Sequence, residues 1–220
     1  MGWQWLAHRR GPLTVGAGQV GGMVCTGHAR GGRPDVLLNV MPLSVDKPGD
    51  PLHRFSGFSA SAAQCRPLSR GRVTLRSADP LAPPRIESNY LTEPEDVRVL
   101  VAGLRILRDI YRQPSFRDLV ADEYLPGGSL LSDAELETFA RAKGGTVFHP
   151  TSTCRMGGDE RAVLDPALRV RGVERLRVID ASAMPAMVST NTNAAAIMIG
   201  EKGADLVAAR SPVRAAAAAV

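Results

Sequence analysis

The sequence is poor in cysteine and in aromatic residues. Its cysteines are Cys25, Cys65 and Cys154, and aromatic residues make up 5% of the 220 positions. An odd number of widely spaced cysteines fits neither a disulfide framework nor a Cys-x-x-Cys zinc site. We therefore expect Cys154 to act as a small buried thiol.

The sequence also lacks long apolar runs. No run approaches the length of a membrane-spanning helix, so we expect no membrane span. At the N-terminus Arg9 and Arg10 follow the apolar residues, whereas a secretory signal places its basic residues first. These two observations predict a cytoplasmic protein.

Three classes of function find no support in the residues. The 27 basic residues, mostly arginine, give a net charge of +5 but form no basic block mixed with aromatics, so nucleic acid is not an expected partner. A Gly-x-Ser-x-Gly motif, typical of serine hydrolases, is absent. Only Cys154 is close in sequence to His149, so we expect no metal site there.

One glycine motif resembles a dinucleotide fingerprint but lacks its context. Residues Gly16–Gly21 read Gly-x-Gly-x-x-Gly. Such a fingerprint needs a hydrophobic strand before it and a helix after it. The preceding segment is short and broken by Pro12, and the following segment is too rich in glycine to hold a helix. The pattern therefore predicts a flexible glycine loop.

The first two thirds of the chain predict an antiparallel sheet with covering helices. Strands are expected at 35–45, 55–65 and 71–77. Two Ser/Thr-x-x-Glu capping boxes, at Thr92–Glu95 and Ser132–Glu135, each predict the start of a helix. The apolar stripe of the first helix comprises Val97, Leu100, Val101, Leu104, Leu107 and Tyr111.

The C-terminal stretch carries the chemically suggestive residues. His149 lies in a loop of small and turn-forming residues, and histidine is the natural proton carrier near neutral pH. A buried strand is expected at Leu176–Asp180 and a helix after Asn191. An asparagine there is an ordinary helix N-cap, although a helix N-terminus can also bind an anion. The spacing alone does not show whether His149 faces that terminus.

Three motifs in this stretch resemble the C-terminal signature of the glucose–methanol–choline (GMC) oxidoreductases, particularly the choline and alcohol dehydrogenase branch. The motifs are His149-Pro150-x-x-Thr153-Cys154-Arg155-Met156-Gly157, Leu176-Arg177-Val178-Ile179-Asp180-Ala181-Ser182, and Asn191-Thr192-Asn193-Ala194 with Ile197-Met198-Ile199-Gly200-Glu201-Lys202. Ser152 departs from the pattern, since the family usually has glycine at that position.

The resemblance implies an enzyme that uses FAD to oxidise a small-molecule alcohol to an aldehyde or ketone. His149 would be the catalytic acid/base, and Asn191 would hydrogen-bond the substrate oxygen. Asn191 is also a helix cap, and the two roles are compatible. The resemblance places the cofactor contacts at Asp180, Ala181, Asn191, Thr192 and Asn193. Without it, Asp180 would be a strand-end turn residue.

The resulting fold class is α+β. We expect a substrate-binding domain over residues 11–148, with an antiparallel sheet and covering helices. An active-site and FAD-contacting segment over 149–210 would supply the last strand and helix of an FAD-binding domain, and 211–220 would be a disordered tail. The N-terminal FAD-binding part of the family pattern is missing from this sequence.

Two hypotheses follow from that missing part. In the first, the chain is the catalytic part of a GMC alcohol dehydrogenase that needs an N-terminal FAD-binding half, either supplied by a separate chain or lacking because the gene product is incomplete. In the second, it is a non-catalytic remnant or binding module that keeps the substrate-domain fold.

Overall fold

The computed structural model describes residues 2–11, 14, 16, 18, 20–47, 49–129, 132–189 and 191–209. They form two compact units. Unit 1 combines Met1–Cys65 with Glu93–Gly144, and unit 2 combines Arg66–Thr92 with Gly145–Val220. Strands and helices occur together and the sheets are antiparallel, which confirms the predicted α+β class.

Unit 1 is built on a three-stranded antiparallel sheet of β1 (Val20–Val24), β2 (Val36–Met41) and β3 (Ser59–Gln64), with β2 in the centre. The strands predicted at 35–45 and 55–65 are confirmed as β2 and β3. A strand, β1, begins within the last residues of the glycine motif, where a dinucleotide fingerprint needs a helix. The predicted glycine loop itself includes residues 17 and 19, which lie outside the described residues.

Helix α2 (Pro94–Tyr111) packs on this sheet. Val36, Leu38, Val99 and Leu107 form the buried core between them. Gly103 allows the close approach, because a Cβ there would lie 3.0 Å from the Ala62 Cβ. Of the predicted stripe, Val97, Val101 and Leu107 are buried, whereas Leu100, Leu104 and Tyr111 are half-buried. Val99 and Gly103 are buried although the stripe did not include them.

The two helix starts in unit 1 differ from each other. Ser132 caps α3 (Asp133–Lys143) in a complete capping box with Glu135, and Gly144 ends the helix, as predicted. The capping box predicted at Thr92 was wrong, because α2 begins one residue later, with Glu93 as the N-cap. Pro94 explains the shift, since proline is best tolerated at the first helical position. A further helix, α1 (Gly2–His8), is exposed throughout.

Unit 2 contains a small hairpin of β4 (Arg72–Thr74) and β5 (Arg85–Glu87). β4 lies within the strand predicted at 71–77. All three of its residues are exposed, so the strand has no buried face. The side chains of Arg72 and Glu87 pair across the hairpin.

Helix α4 (Asn193–Ala208) packs on the C-terminal loops of unit 2. Leu164, Leu168, Ala183, Met184 and Ile199 form the buried core. The strand expected at Leu176–Asp180 was wrong as regards secondary structure and burial. Arg177 makes one isolated antiparallel bridge to Arg169, and Leu176 is 48% exposed. A strand needs a continuous hydrogen-bonded neighbour, and the described residues provide only this bridge.

The division into a substrate-binding domain over 11–148 and an FAD-contacting segment over 149–210 stays a prediction. The predicted tail, 211–220, lies outside the described residues. None of the four helices in the described part of the chain combines the length and apolarity needed to cross a lipid bilayer.

Candidate active site

Backbone hydrogen bonds hold the loop that carries His149. The loop runs beside the short 3-10 helix Ala181–Ala183. The amides of Cys154 and Met156 donate to the carbonyls of Ser182 and Ala183, both at 3.0 Å. Two segments that are separate in sequence are thereby fixed side by side.

The His149 ring meets the start of α4. Its Nδ1 lies 3.0 Å from the Thr192 hydroxyl oxygen, at hydrogen-bond distance. His149 is half-buried and Thr192 is 8% exposed. The structure therefore joins the first and third sequence motifs at the imidazole.

The loop adopts a strained backbone on both sides of His149. Phe148 has a φ of 61° and Ser152 a φ of 70°. This left-handed region favours glycine because a Cβ crowds the following carbonyl. The backbone at Ser152 is thus one that glycine adopts more easily than serine, in agreement with the glycine that the sequence resemblance leads us to expect there.

Arg155, Gly157 and Asp159 form a local ion-pair turn beside the loop. The Arg155 guanidinium donates to both Asp159 carboxylate oxygens, at 2.8 and 2.6 Å. These hydrogen bonds lower the pKa of the Asp159 carboxyl well below its ordinary value. A Cβ at Gly157 would lie 2.8 Å from the Arg155 Nη1 atom, so glycine leaves room for the pair.

Asp180 and Ala181, both predicted cofactor contacts, form hydrogen bonds with neighbouring loop residues. The exposed Asp180 carboxylate accepts a hydrogen bond from the Ser182 amide at 2.8 Å and another from its hydroxyl. Asp180 thus caps the 3-10 helix, as expected of a turn residue. Ala181 is half-buried, and its carbonyl accepts a hydrogen bond from the Ser152 amide at 3.4 Å.

The remaining predicted residues lie at the N-terminus of α4. The prediction of Asn191 as the helix cap was wrong, because Thr192 is the N-cap and Asn193 is the first helical residue. Thr192 makes no side-chain capping bond. Asn191 and Asn193 are exposed. Because Asn191 directly precedes Thr192, the structure brings its backbone next to the residue that holds His149. This terminus offers backbone N–H groups and the positive end of the helix dipole to an anion.

One contact in this region was missed by the sequence reasoning. The Arg66 guanidinium donates to the Ser189 hydroxyl at 2.5 Å, which ties the segment before β4 to the loop that leads to Asn191. The partners are 123 residues apart. No local pattern could have paired them.

The fold and these motifs are those of one family. The GMC oxidoreductase family model matches residues 67–200, which is more than half of the chain. The chain belongs to the GMC oxidoreductases.

Curated relatives of the chain include alcohol and choline dehydrogenases. The chain is 38% identical to the alcohol dehydrogenase (acceptor) of Pseudomonas putida over 203 residues, 92% of this chain and 37% of that protein. It is 42% identical to the oxygen-dependent choline dehydrogenase of Paraburkholderia phytofirmans over 180 residues, 82% of this chain and 32% of that protein. The chain thus spans about a third of the length of these relatives.

Solved structures share the fold. A pyridoxine 4-oxidase from Mesorbium loti superposes with a TM-score of 0.75 at 28% identity, covering 82% of this chain and 35% of that one. A formate oxidase from Aspergillus oryzae, studied for its FAD modification, has a TM-score of 0.75 at 32% identity and covers 81% and 32%. FAD as the cofactor of this family, predicted from the sequence, is confirmed.

Proposed function

We propose that this chain is the catalytic part of an FAD-dependent alcohol oxidoreductase. In the proposed reaction a CH–OH group becomes an aldehyde or ketone. The O–H proton passes to His149, and the C–H bond gives up its hydrogen with both electrons. FAD, when bound, supplies the acceptor for that electron pair and hydrogen.

The observation that carries this proposal is the 3.0 Å contact between His149 and Thr192. It holds the ring against Thr192, the residue that follows Asn191 in the chain. A general base must be positioned next to the proton that it removes, and an anchored imidazole meets that requirement better than a freely rotating one.

Asn191 is proposed to stabilise the substrate oxygen. Its exposed carboxamide carries N–H donors without titrating, so it can hydrogen-bond an oxygen that gains negative character. His149 and Asn191 would thus share the reacting hydroxyl, one receiving its proton and the other donating to its oxygen.

The residues at this site suit the reactive end of FAD. Thr192 leaves the first turn of α4 without a side-chain cap, and reduction places negative charge on the flavin ring. Thr192 and Asn193 would hold that edge of the ring, with the Asp180–Ala181 backbone nearby.

The dinucleotide half of FAD needs a further binding site. No fingerprint for that half occurs in the 220 residues. We therefore propose that an FAD-binding half from outside these residues completes the site. The cytoplasmic location stays a prediction.

A chimaera tests the proposal. This chain would replace the matching C-terminal 37% of the Pseudomonas putida relative. We expect a yellow, flavin-loaded protein that oxidises alcohols, and a panel of alcohols would identify the substrate class. His149→Ala should reduce kcat by about 10²–10⁴-fold, the usual contribution of a general acid/base, while flavin absorbance is retained.

His8→Ala is the matched control, because His8 lies in the exposed helix α1 of unit 1. It should leave kcat and flavin content unchanged. A flavin-loaded chimaera that stays active after His149→Ala would refute the role of His149. A folded chimaera that never acquires flavin would favour the non-catalytic remnant.

A further inference from the structure

The Thr192 hydroxyl contacts a single ring nitrogen of His149. Thr192 is held by α4, since its carbonyl accepts a hydrogen bond from the Ala196 amide at 2.9 Å. Its hydroxyl does not cap the helix and instead lies 3.0 Å from His149 Nδ1. A buried side chain on a rigid element is therefore directed at one specific ring nitrogen.

A hydroxyl can either donate or accept this hydrogen bond, and the two cases differ chemically. If Thr192 donates to Nδ1, the proton of the neutral ring sits on Nε2, and Nε2 cannot act as a base. If Thr192 accepts from an Nδ1–H group, the lone pair is on Nε2 and is available to a substrate proton.

We propose that Thr192 is a positioning residue that accepts a hydrogen bond from Nδ1–H of His149 and so keeps the base at Nε2. The inference rests on the proposed function, because only a base needs that lone pair. When Nε2 takes the substrate proton, both ring nitrogens carry hydrogen and the bond from Nδ1–H to Thr192 stays intact. The ring thus keeps its orientation through the transfer.

A neutral partner suits this role. The carboxylate of Asp180, in the second sequence motif, is engaged by the amide and hydroxyl of Ser182. A carboxylate on Nδ1 would favour the charged imidazolium, whereas a hydroxyl orients the ring without adding a charge.

The tautomer can be measured on the 220-residue chain without cofactor or substrate. Histidine 15N chemical shifts, recorded at a pH where the rings are neutral, distinguish a protonated from an unprotonated ring nitrogen. We expect His149 to carry its proton mainly on Nδ1. The His149→Ala spectrum assigns the signals.

A second histidine, His53, provides an internal reference, because we expect the opposite tautomer there. His53 has Nδ1 2.9 Å from the Ser44 hydroxyl and Nε2 3.4 Å from an Asp46 carboxylate oxygen. Because a carboxylate only accepts, His53 should carry its proton on Nε2. The two histidines should therefore show opposite patterns in one spectrum.

Two variants complete the test. Thr192→Val keeps the shape but removes the acceptor, so the His149 proton should move towards Nε2, and kcat of the chimaera should fall about tenfold with little change in KM. Thr192→Ser should preserve the tautomer and most of kcat.

A wild-type His149 that is protonated on Nε2 would overturn the proposal, even if Thr192→Val failed to fold. So would a folded Thr192→Val variant with an unchanged tautomer. Failure of the proposed function gives a different result, namely a chimaera that still oxidises alcohols after His149→Ala.

Discussion

Ser152 has a strained backbone conformation that the loop carrying His149 imposes. Its φ of 70° lies in the left-handed region, where a side chain costs about 1–2 kcal/mol. The amide of Ser152 reaches the Ala181 carbonyl, so the loop holds this conformation with a hydrogen bond. The loop thus imposes the left-handed conformation at this position, and serine adopts it at a cost in free energy.

We expect Ser152→Gly to raise the free energy of unfolding by about 0.5–1 kcal/mol, because the relieved strain exceeds the added flexibility of the unfolded chain. Denaturant unfolding measures the change. Thr153→Gly is the control, since the positive-φ residues in the described part of the chain do not include Thr153. That control should lose stability. Equal losses in both variants would contradict the argument.

At the scale of elements, the packing of α4 depends on Gly203. A Cβ at Gly203 would overlap the Ile179 Cγ2 atom. Gly200, one turn earlier in the same helix, has open space around its Cβ position. The helix therefore rests on the segment that follows Leu176 through Gly203 and not through Gly200.

The two glycines predict opposite responses to the same substitution. Gly203→Ala should destabilise the chain by about 1–3 kcal/mol, because overpacking outweighs the gain in helix propensity. Gly200→Ala should stabilise it by about 0.5–1 kcal/mol. Thermal unfolding of the two variants checks both signs. A stabilising Gly203→Ala would mean that α4 does not pack on Ile179.

Over the whole molecule, carboxylates paired with arginine make stability depend on pH. Hydrogen bonds from Arg155 and Arg169 lower the pKa of Asp159 and Asp165 from the ordinary value of 3.8. A lowered folded-state pKa contributes stability that is complete above the unfolded-state value and is lost as pH falls towards the folded-state value. Unit 2, which contains both pairs, should therefore be weakened by acid.

We expect the free energy of unfolding to decrease as the pH is lowered from about 5 to about 2. Asp159→Asn should be less stable than wild type at neutral pH and should show a shallower decrease over this window. Urea unfolding at several pH values measures both effects. An unchanged slope would show that the exposed pair is screened by solvent.

Local signals in the sequence were sufficient for many elements. The strands expected at 35–45 and 55–65 contain β2 and β3, and the serine–glutamate box predicted the start of α3. The strand β1 was missed because glycines hide its pattern, and Leu176–Asp180 was wrong because strand formation depends on a neighbour that the described residues do not supply. Thr92 failed as a cap because the adjacent proline fixes where the helix can begin.

The sequence by itself determined the family, since three motifs in order carry it, and therefore the kind of chemistry to expect. Only the tertiary structure could show that His149 meets Thr192, 43 residues away, and that Arg66 reaches Ser189. Caps and periodicity act over a few residues, whereas these contacts require two distant loops to be closed against the same helix start. The hydrogen-bond partner of the His149 ring is therefore decided by tertiary packing and not by local sequence.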